Sequence, residues 1–186
     1  TSGRWVYYPE GPQEPLATIA RRYVGATEHR NNRMGTDPRM REIFEADYAR
    51  MSPGTTDGYA WCSSFVSLCT QRLIASDPVY VSVRPPREAS VQRFRTLWAP
   101  TQRCLVFPPD DPAHRPHRGD VLVFKFSHIG VVERVDGKGV FTIEGNTSAA
   151  GSREGTTVRR QFRRFGRIRC FIRLPVPLDY DLVCSV

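Results

Sequence analysis

Cys62, His128, Glu144 and Asn146 are the residues whose types and order could carry nucleophilic chemistry. A thiol attacks a carbonyl as its thiolate, an imidazole can take the thiol proton, and a carboxylate or amide behind the ring fixes its tautomer and stabilises the imidazolium. Cys62 follows a polar, turn-forming stretch from Ser52 to Gly58. It opens a segment whose apolar positions 61, 62, 65, 66, 68, 69 and 73 suit a mostly buried helix. In the first turn of such a helix, backbone N–H groups and the positive end of the dipole favour a thiolate and can cradle an oxyanion. A cysteine on an apolar helix is by itself more often core filler, and Cys69, seven residues on along the same face, reads that way.

Two predicted strands, Val121–Phe126 and Ile129–Val135, leave His128 at their join, and Asp136-Gly137-Lys138-Gly139 turns the chain into a third, Val140–Glu144. A three-residue loop, Asp136–Lys138, with Val135 opposite Gly139 sets His128 opposite Asn146. Glu144 then lies on the same face, one diagonal step from the imidazole. Taken singly, His128 could be a satisfied turn residue and Glu144-Gly145-Asn146 an ordinary turn. The four residues together point to a cysteine–histidine nucleophilic centre.

The elements that must position them are an N-terminal set of helices and a C-terminal antiparallel sheet, an α+β pattern. Residues 1–14 read as an irregular lead-in. Leu16, Ile19, Ala20, Tyr23 and Val24 recur at helical spacing until Gly25. Asp37-Pro38 signals a second helix carrying Met40, Ile43, Phe44 and Tyr48, which Pro53-Gly54 ends. Residues 76–118 read as a loop-rich insertion with one helix through Val91, Phe94, Leu97 and Trp98. A last strand alternates Ile168, Cys170, Ile172 and Leu174 against Arg167, Arg169 and Arg173, before a tail at 175–186. The expectation is one catalytic domain over 1–186.

Composition narrows the function classes. The 186 residues hold 27 Lys+Arg against 19 Asp+Glu, a net charge of +8, and the only lysines are Lys125 and Lys138. The cluster Arg159, Arg160, Arg163, Arg164, Arg167 and Arg169 reads first as a solvated face, and would also suit nucleic acid or an anionic wall or membrane. No apolar run approaches the roughly 20 residues of a membrane span, so membrane insertion is not expected. No secretory signal is visible at the start of the chain. Five cysteines, Cys62, Cys69, Cys104, Cys170 and Cys184, show no tight metal-ligand spacing, and up to two disulfides would leave one thiol free.

Four ordered blocks carry a resemblance. They are Tyr59-Ala60-Trp61-Cys62-Ser63-Ser64-Phe65-Val66, Arg118-Gly119-Asp120-Val121-Leu122-Val123-Phe124, Ser127-His128-Ile129-Gly130-Val131-Val132-Glu133 and Phe141-Thr142-Ile143-Glu144-Gly145-Asn146-Thr147. Over about residues 16–174 the chain resembles the CHAP group of cysteine, histidine-dependent amidohydrolases and peptidases, in the papain-like superfamily that includes NlpC-type cell-wall peptidases. The resemblance implies a papain-like layout, with the nucleophile on a helix packed against an antiparallel sheet that presents the histidine. It implies Cys62 as nucleophile, His128 as general base, Glu144 as the residue orienting it and Asn146 as a fourth polar member. The flanking Tyr59, Trp61, Ser63 and Ser127 are the expected substrate contacts. Some relatives bind calcium before the cysteine. No Asp-x-Asp ladder is present here, Asp57 standing nearly alone, so neither metal nor cofactor is expected.

The function expected from this is cleavage of an amide bond in bacterial peptidoglycan. The setting would be an interbacterial effector moved by a dedicated secretion machine such as type VI, or a phage lysin, acting at the target-cell wall or periplasm. An effector would need a cognate immunity protein. The alternatives are a cysteine peptidase or deamidase acting on a protein, and a basic nucleic-acid-binding domain. The latter lacks a zinc-finger, helix-turn-helix or RNP-like pattern, and no nucleic-acid partner is expected.

Overall fold

The structure is a computed structural model that describes residues 5–6, 13, 15–47, 58–152 and 154–177. In chain order its elements begin with β1 (Trp5–Val6), α1 (Pro15–Arg21), α2 (Pro38–Glu45) and α3 (Cys62–Ser76), followed by a 3-10 turn at Pro78–Tyr80. Then come α4 (Val91–Arg93), a π-turn over Phe94–Trp98 and α5 (Ala99–Thr101), which together form the helix expected around Val91–Trp98. The strands β2 (Leu105–Phe107), β3 (Val121–Phe124), β4 (Ile129–Asp136), β5 (Gly139–Thr147), β6 (Thr157–Arg164), β7 (Ile168–Arg173) and β8 (Val176–Pro177) follow. Tyr48, Pro53, Gly54 and Asp57 lie outside the described residues.

Sequence punctuation explains the helix ends. Gly25, at φ +86°, closes the turn that follows α1. The Asp37 carboxylate accepts the Arg39 N–H at 3.0 Å and caps α2, with Pro38 in its first turn. In α3, residues 62–70 and Leu73 are buried, so this helix is surrounded rather than amphipathic.

β2 through β7 form a six-stranded sheet in the order β2-β7-β3-β4-β5-β6, antiparallel throughout. One face packs α1, α2 and α3 against Val121, Val123, Ile129, Val131 and Ile143. The other carries a smaller apolar cluster of Phe107, Leu122, Phe124, Val132, Val140, Ile168 and Phe171. Each fully buried side chain of this size contributes about 1.5–3 kcal/mol, so both layers hold the sheet. Gln13 ties the chain before α1 to the sheet: its amide donates to the Gly119 and Ile172 carbonyls, and its Oε1 accepts the Leu174 N–H.

Four strands depart from the expectation: Trp5–Val6, in the lead-in, pairs antiparallel with Val176–Pro177, in the tail, as the two-stranded sheet β1-β8, and β2 and β6 join the main sheet. Residues 76–118 are not only loops and helix, because Leu105–Phe107 pairs with Arg173–Phe171 as β2. The arginine-rich stretch Thr157–Arg164 is β6, the sheet's edge, not merely a solvated charge run. β2 has only three residues between Cys104 and a Pro-Pro pair, too few to show a period. β6 hides because its buried apolar residue is Val158 alone, the rest being charged and polar side chains that blunt an edge and one exposed aromatic, Phe162.

The register of β4 on β5 reaches the expected end by another path. Asp136 faces Gly139 across a two-residue loop, and Val135 faces Val140, not Gly139. A bulge between Val132 and Arg134 then absorbs one residue, so that Val132 faces Thr142 and Val131 faces Ile143. The bulged Glu133 accepts Arg21 and Arg160 on its side chain and Arg118 on its carbonyl. Below the bulge the alignment is the expected one.

Candidate active site

Cys62 is the first residue of α3 and is buried, at 4% exposure. The first intrahelical bond runs from the Phe65 N–H to the Trp61 carbonyl. The N–H groups of Cys62 and Ser63 therefore precede any helical acceptor and project from the positive end of the helix. The residue ahead of the cysteine is anchored twice. The Trp61 backbone N–H donates to Asn146 Oδ1 at 3.0 Å, and its indole N–H donates to the buried Glu28 carboxylate. Gly145 lets β5 pass beneath this helix start, since a Cβ there would stand 2.8 Å from the Trp61 ring and 2.9 Å from Phe65 Cβ.

His128 is fully buried in the tight connection between β3 and β4. Its N–H donates to the Phe126 carbonyl at 2.7 Å and its carbonyl accepts the Phe124 N–H at 3.0 Å. The ring lies parallel to Phe126, centroids 5.9 Å apart at 9°, and to Phe124, 5.4 Å apart at 23°. Its Nε2 meets Glu144 Oε2 at 2.9 Å, while Nδ1 is buried without a hydrogen-bond partner. The carboxylate occupies one ring nitrogen, leaving Nδ1 to exchange a proton with Cys62.

Glu144 is itself fully buried. Its Oε1 accepts the Thr142 hydroxyl at 2.5 Å and Arg163 Nε at 2.8 Å, and its Oε2 accepts the second Arg163 nitrogen at 2.5 Å. Gly130 makes room for it, since a Cβ there would meet Glu144 Cγ at 2.8 Å. Burial raises the carboxyl pKa, but bonding to Arg163 and His128 more than offsets it, and Glu144 is held below the usual carboxylate range. For His128, burial favours the neutral ring, yet the neighbouring Cys62 and the hydrogen-bonded Glu144 carboxylate more than offset it and push its pKa up to about 9. The ring thus lies between the Glu144 carboxylate and the Cys62 sulfur.

The structure brings Cys62, His128 and Glu144 together and sends Asn146 elsewhere. The Asn146 amide spends its hydrogen bonds on groups other than the imidazole: its Oδ1 takes the Trp61 N–H, and its NH₂ donates to Asn32 Oδ1 and the Gly155 carbonyl. The reason is local. The β5–β6 register shifts between Glu144 and Thr147, and Asn146 adopts φ +56°, which breaks the strand alternation that a shared face with Glu144 requires.

Of the expected substrate contacts, Tyr59 and Ser127 are exposed, whereas Trp61 and Ser63 are fully buried and turned into the protein. The first turn of α3 is packed on the sheet, so the side chains beside the nucleophile serve the core. An open, polar cleft of about 610 Å³ borders the Trp61 anchor, lined by Glu28, Arg30, Asn32, Arg33, Glu154 and Thr156 among others.

Arg163, Glu28 and Asn32 were not singled out for the site from the sequence. The signal available for Arg163 was a buried acid on β5 that needs a cation from the neighbouring strand. Cys69, Cys104 and Cys170 are free thiols like Cys62, and burial raises all three, Cys104 to about 12 and Cys170 to about 11. Cys184 lies outside the described residues. Among the described residues no three His, Cys, Asp or Glu side chains gather closely enough to hold a metal ion, and no helix is long and apolar enough to cross a membrane.

The CHAP domain family matches residues 54–146, half of the 186-residue chain. The chain belongs to the CHAP family. Its α+β architecture, with α3 packed on the sheet, is the papain-like CHAP fold. Similar solved structures include the following two. One, "The crystal structure of Ly7917", is 14% identical over 89% of this chain and 63% of that chain, with a TM-score of 0.49. The other, "The crystal structure of Ly7917 with the hydrolyzing product of MDP", is 17% identical over the same shares, with a TM-score of 0.47. This CHAP chain spans less than two thirds of their length. None of the curated proteins matches it.

Proposed function

We propose that this CHAP domain is a cysteine amidohydrolase that cleaves an amide bond of bacterial peptidoglycan. The observation that carries the chemistry is the buried His128, bonded to Glu144 through Nε2 and left with Nδ1 for a cysteine at a helix N-terminus. Family membership supports the substrate class. The Cys62 thiolate attacks the scissile carbonyl, and the N–H groups at the start of α3 receive the developing oxyanion. His128 gives its proton to the leaving amine as the tetrahedral intermediate collapses to a thioester. Water, deprotonated by the now neutral His128, then attacks the thioester, releasing the carboxylic acid and the thiol. The cleft beside Trp61, lined by amides, guanidinium groups and carboxylates, suits a substrate dense in amides and carboxylates.

The test is mass spectrometry of soluble fragments from purified sacculi treated with wild type and Cys62→Ala. The expected result is new fragments from wild type alone, whose masses identify the bond. Unaltered release by Cys62→Ala would contradict the reading, and no release from any sacculus by a protein with a reactive Cys62 would redirect it to a protein substrate.

For the biological setting we infer a secreted or delivered antibacterial enzyme, an effector or lysin, with the exposed arginines of β6 favouring residence at an anionic wall. In the effector case a cognate immunity protein would block the Cys62 site. Expression directed to the periplasm should arrest growth and cytoplasmic expression should not, and the reverse pattern would refute this setting.

A further inference from the structure

Hydrolysis as derived above uses Cys62, His128 and Glu144 and gives no task to Arg163, although this arginine makes more polar contacts with Glu144 than any other residue described. Its Nε and terminal nitrogen take both carboxylate oxygens, the fork geometry that only arginine provides. The same terminal nitrogen donates to the Gly151 carbonyl at 3.1 Å. The guanidinium lies 5.1 Å from the centroid of Phe124, the ring on which His128 also stacks. Imidazole and guanidinium therefore share one aromatic platform, and Arg163 side-chain exposure is only 13%.

We propose that Arg163 is a positioning residue of the catalytic centre, fixing the plane of the Glu144 carboxylate against His128 Nε2 and sharing its charge so that the imidazolium can release its proton. The proposal rests on the reading of Cys62 and His128 as the reacting pair. A lone buried carboxylate would hold an imidazolium too tightly for an acid that must protonate a leaving amine. With a guanidinium on both oxygens, the carboxylate orients the ring and binds its proton less strongly. The titratable groups facing His128 are Cys62 from α3 and Glu144 from β5, and those facing Glu144 are His128 and Arg163. Arg159 lies opposite Glu144 in the register, but its side chain is solvent-exposed.

The experiment is a nuclear magnetic resonance titration of the His128 ring in the full chain for wild type, Arg163→Gln and Arg163→Lys, with Arg164→Gln as an exposed control on the same strand. Removing the guanidinium leaves His128 as the only cation on Glu144. Its midpoint should rise by about one pH unit in Arg163→Gln and by about half a unit in Arg163→Lys, which keeps a charge without the fork. The control should titrate with wild type. A folded Arg163→Gln whose midpoint coincides with wild type overturns the proposal. Should that variant not fold, an unshifted Arg163→Lys does the same. Because the titration needs no substrate, intact sacculi with a shifted midpoint would reject the peptidoglycan reading alone, and cleaved sacculi with an unshifted midpoint would reject this one alone.

Discussion

Two carboxylates are buried in the sheet, each gripped by both arms of an arginine, and they do different work. Asp120 accepts Arg173 at 2.8 and 2.7 Å on its two oxygens, and Glu144 accepts Arg163 at 2.8 and 2.5 Å. Around Asp120 the remaining partners are structural: the His117 N–H donates to it, and Arg173 is held by the Arg115 carbonyl and lies over Phe107. That cluster pins the loop before β3 to β7. Around Glu144 the remaining partner is an imidazole that faces a thiol. The pKa directions follow, since burial outweighs Arg173 and raises Asp120, whereas Arg163 and His128 together outweigh burial and lower Glu144. A buried ion pair alone is therefore no mark of a catalytic site; the third partner decides.

Neutralising the two acids in turn should separate these roles. Glu144→Gln should cut turnover of sacculi by about 10²–10⁴-fold, because the amide holds the wrong tautomer and cannot stabilise an imidazolium. Asp120→Ala should instead cost about 3–5 kcal/mol of stability by stranding the buried Arg173, with turnover per folded molecule retained. Chemical denaturation and initial rates on the same preparations measure both, and equal losses of rate in the two variants would erase the distinction.

The pH dependence belongs to the Glu144 side. His128 has its folded pKa raised above the ordinary 6.5 to about 9, so its protonated form adds stability that is complete below pH 6.5 and is lost as pH rises through 9. Melting temperature should fall across that window in wild type and hold steadier in His128→Gln, with hydrolysis declining along the same upper limb. A wild-type melting curve flat from pH 6.5 to 9 would refute the charged histidine.

A smaller effect is expected of Gly145→Ala, which pushes a methyl into Trp61 and Phe65 under the start of α3 and should cost about 1–3 kcal/mol. Arg160→Gln, which removes one half-exposed partner of Glu133, should change stability by no more than about 1 kcal/mol. A larger loss there would mean that β6 is fastened through its charges rather than its backbone.

Much of this was legible in the sequence, for identifiable reasons. α2 announces itself by Asp37-Pro38, and the buried run after Trp61 places Cys62 at a helix start. His128 and Glu144 fall together because alternation and hairpin pairing carry over distance. The alignment nevertheless survived only because a two-residue loop and the bulge beyond Val132 cancel, and a bulge has no signal in residue types. Asn146 was misplaced because a left-handed backbone turn ends the alternation. Arg163 looked like its exposed neighbours Arg164 and Arg167, since an arginine's charge does not reveal which face of an edge strand it occupies.

The most direct test of the Cys62–His128–Glu144 centre is to quench the reaction with peptidoglycan fragments in acid within the first turnovers and map the protein by mass spectrometry. The account predicts an acyl adduct on Cys62, with a mass equal to the acyl half of the cleaved bond, and no adduct on Cys69, Cys104 or Cys170. Turnover without any adduct at Cys62, or persisting in Cys62→Ala, would contradict it.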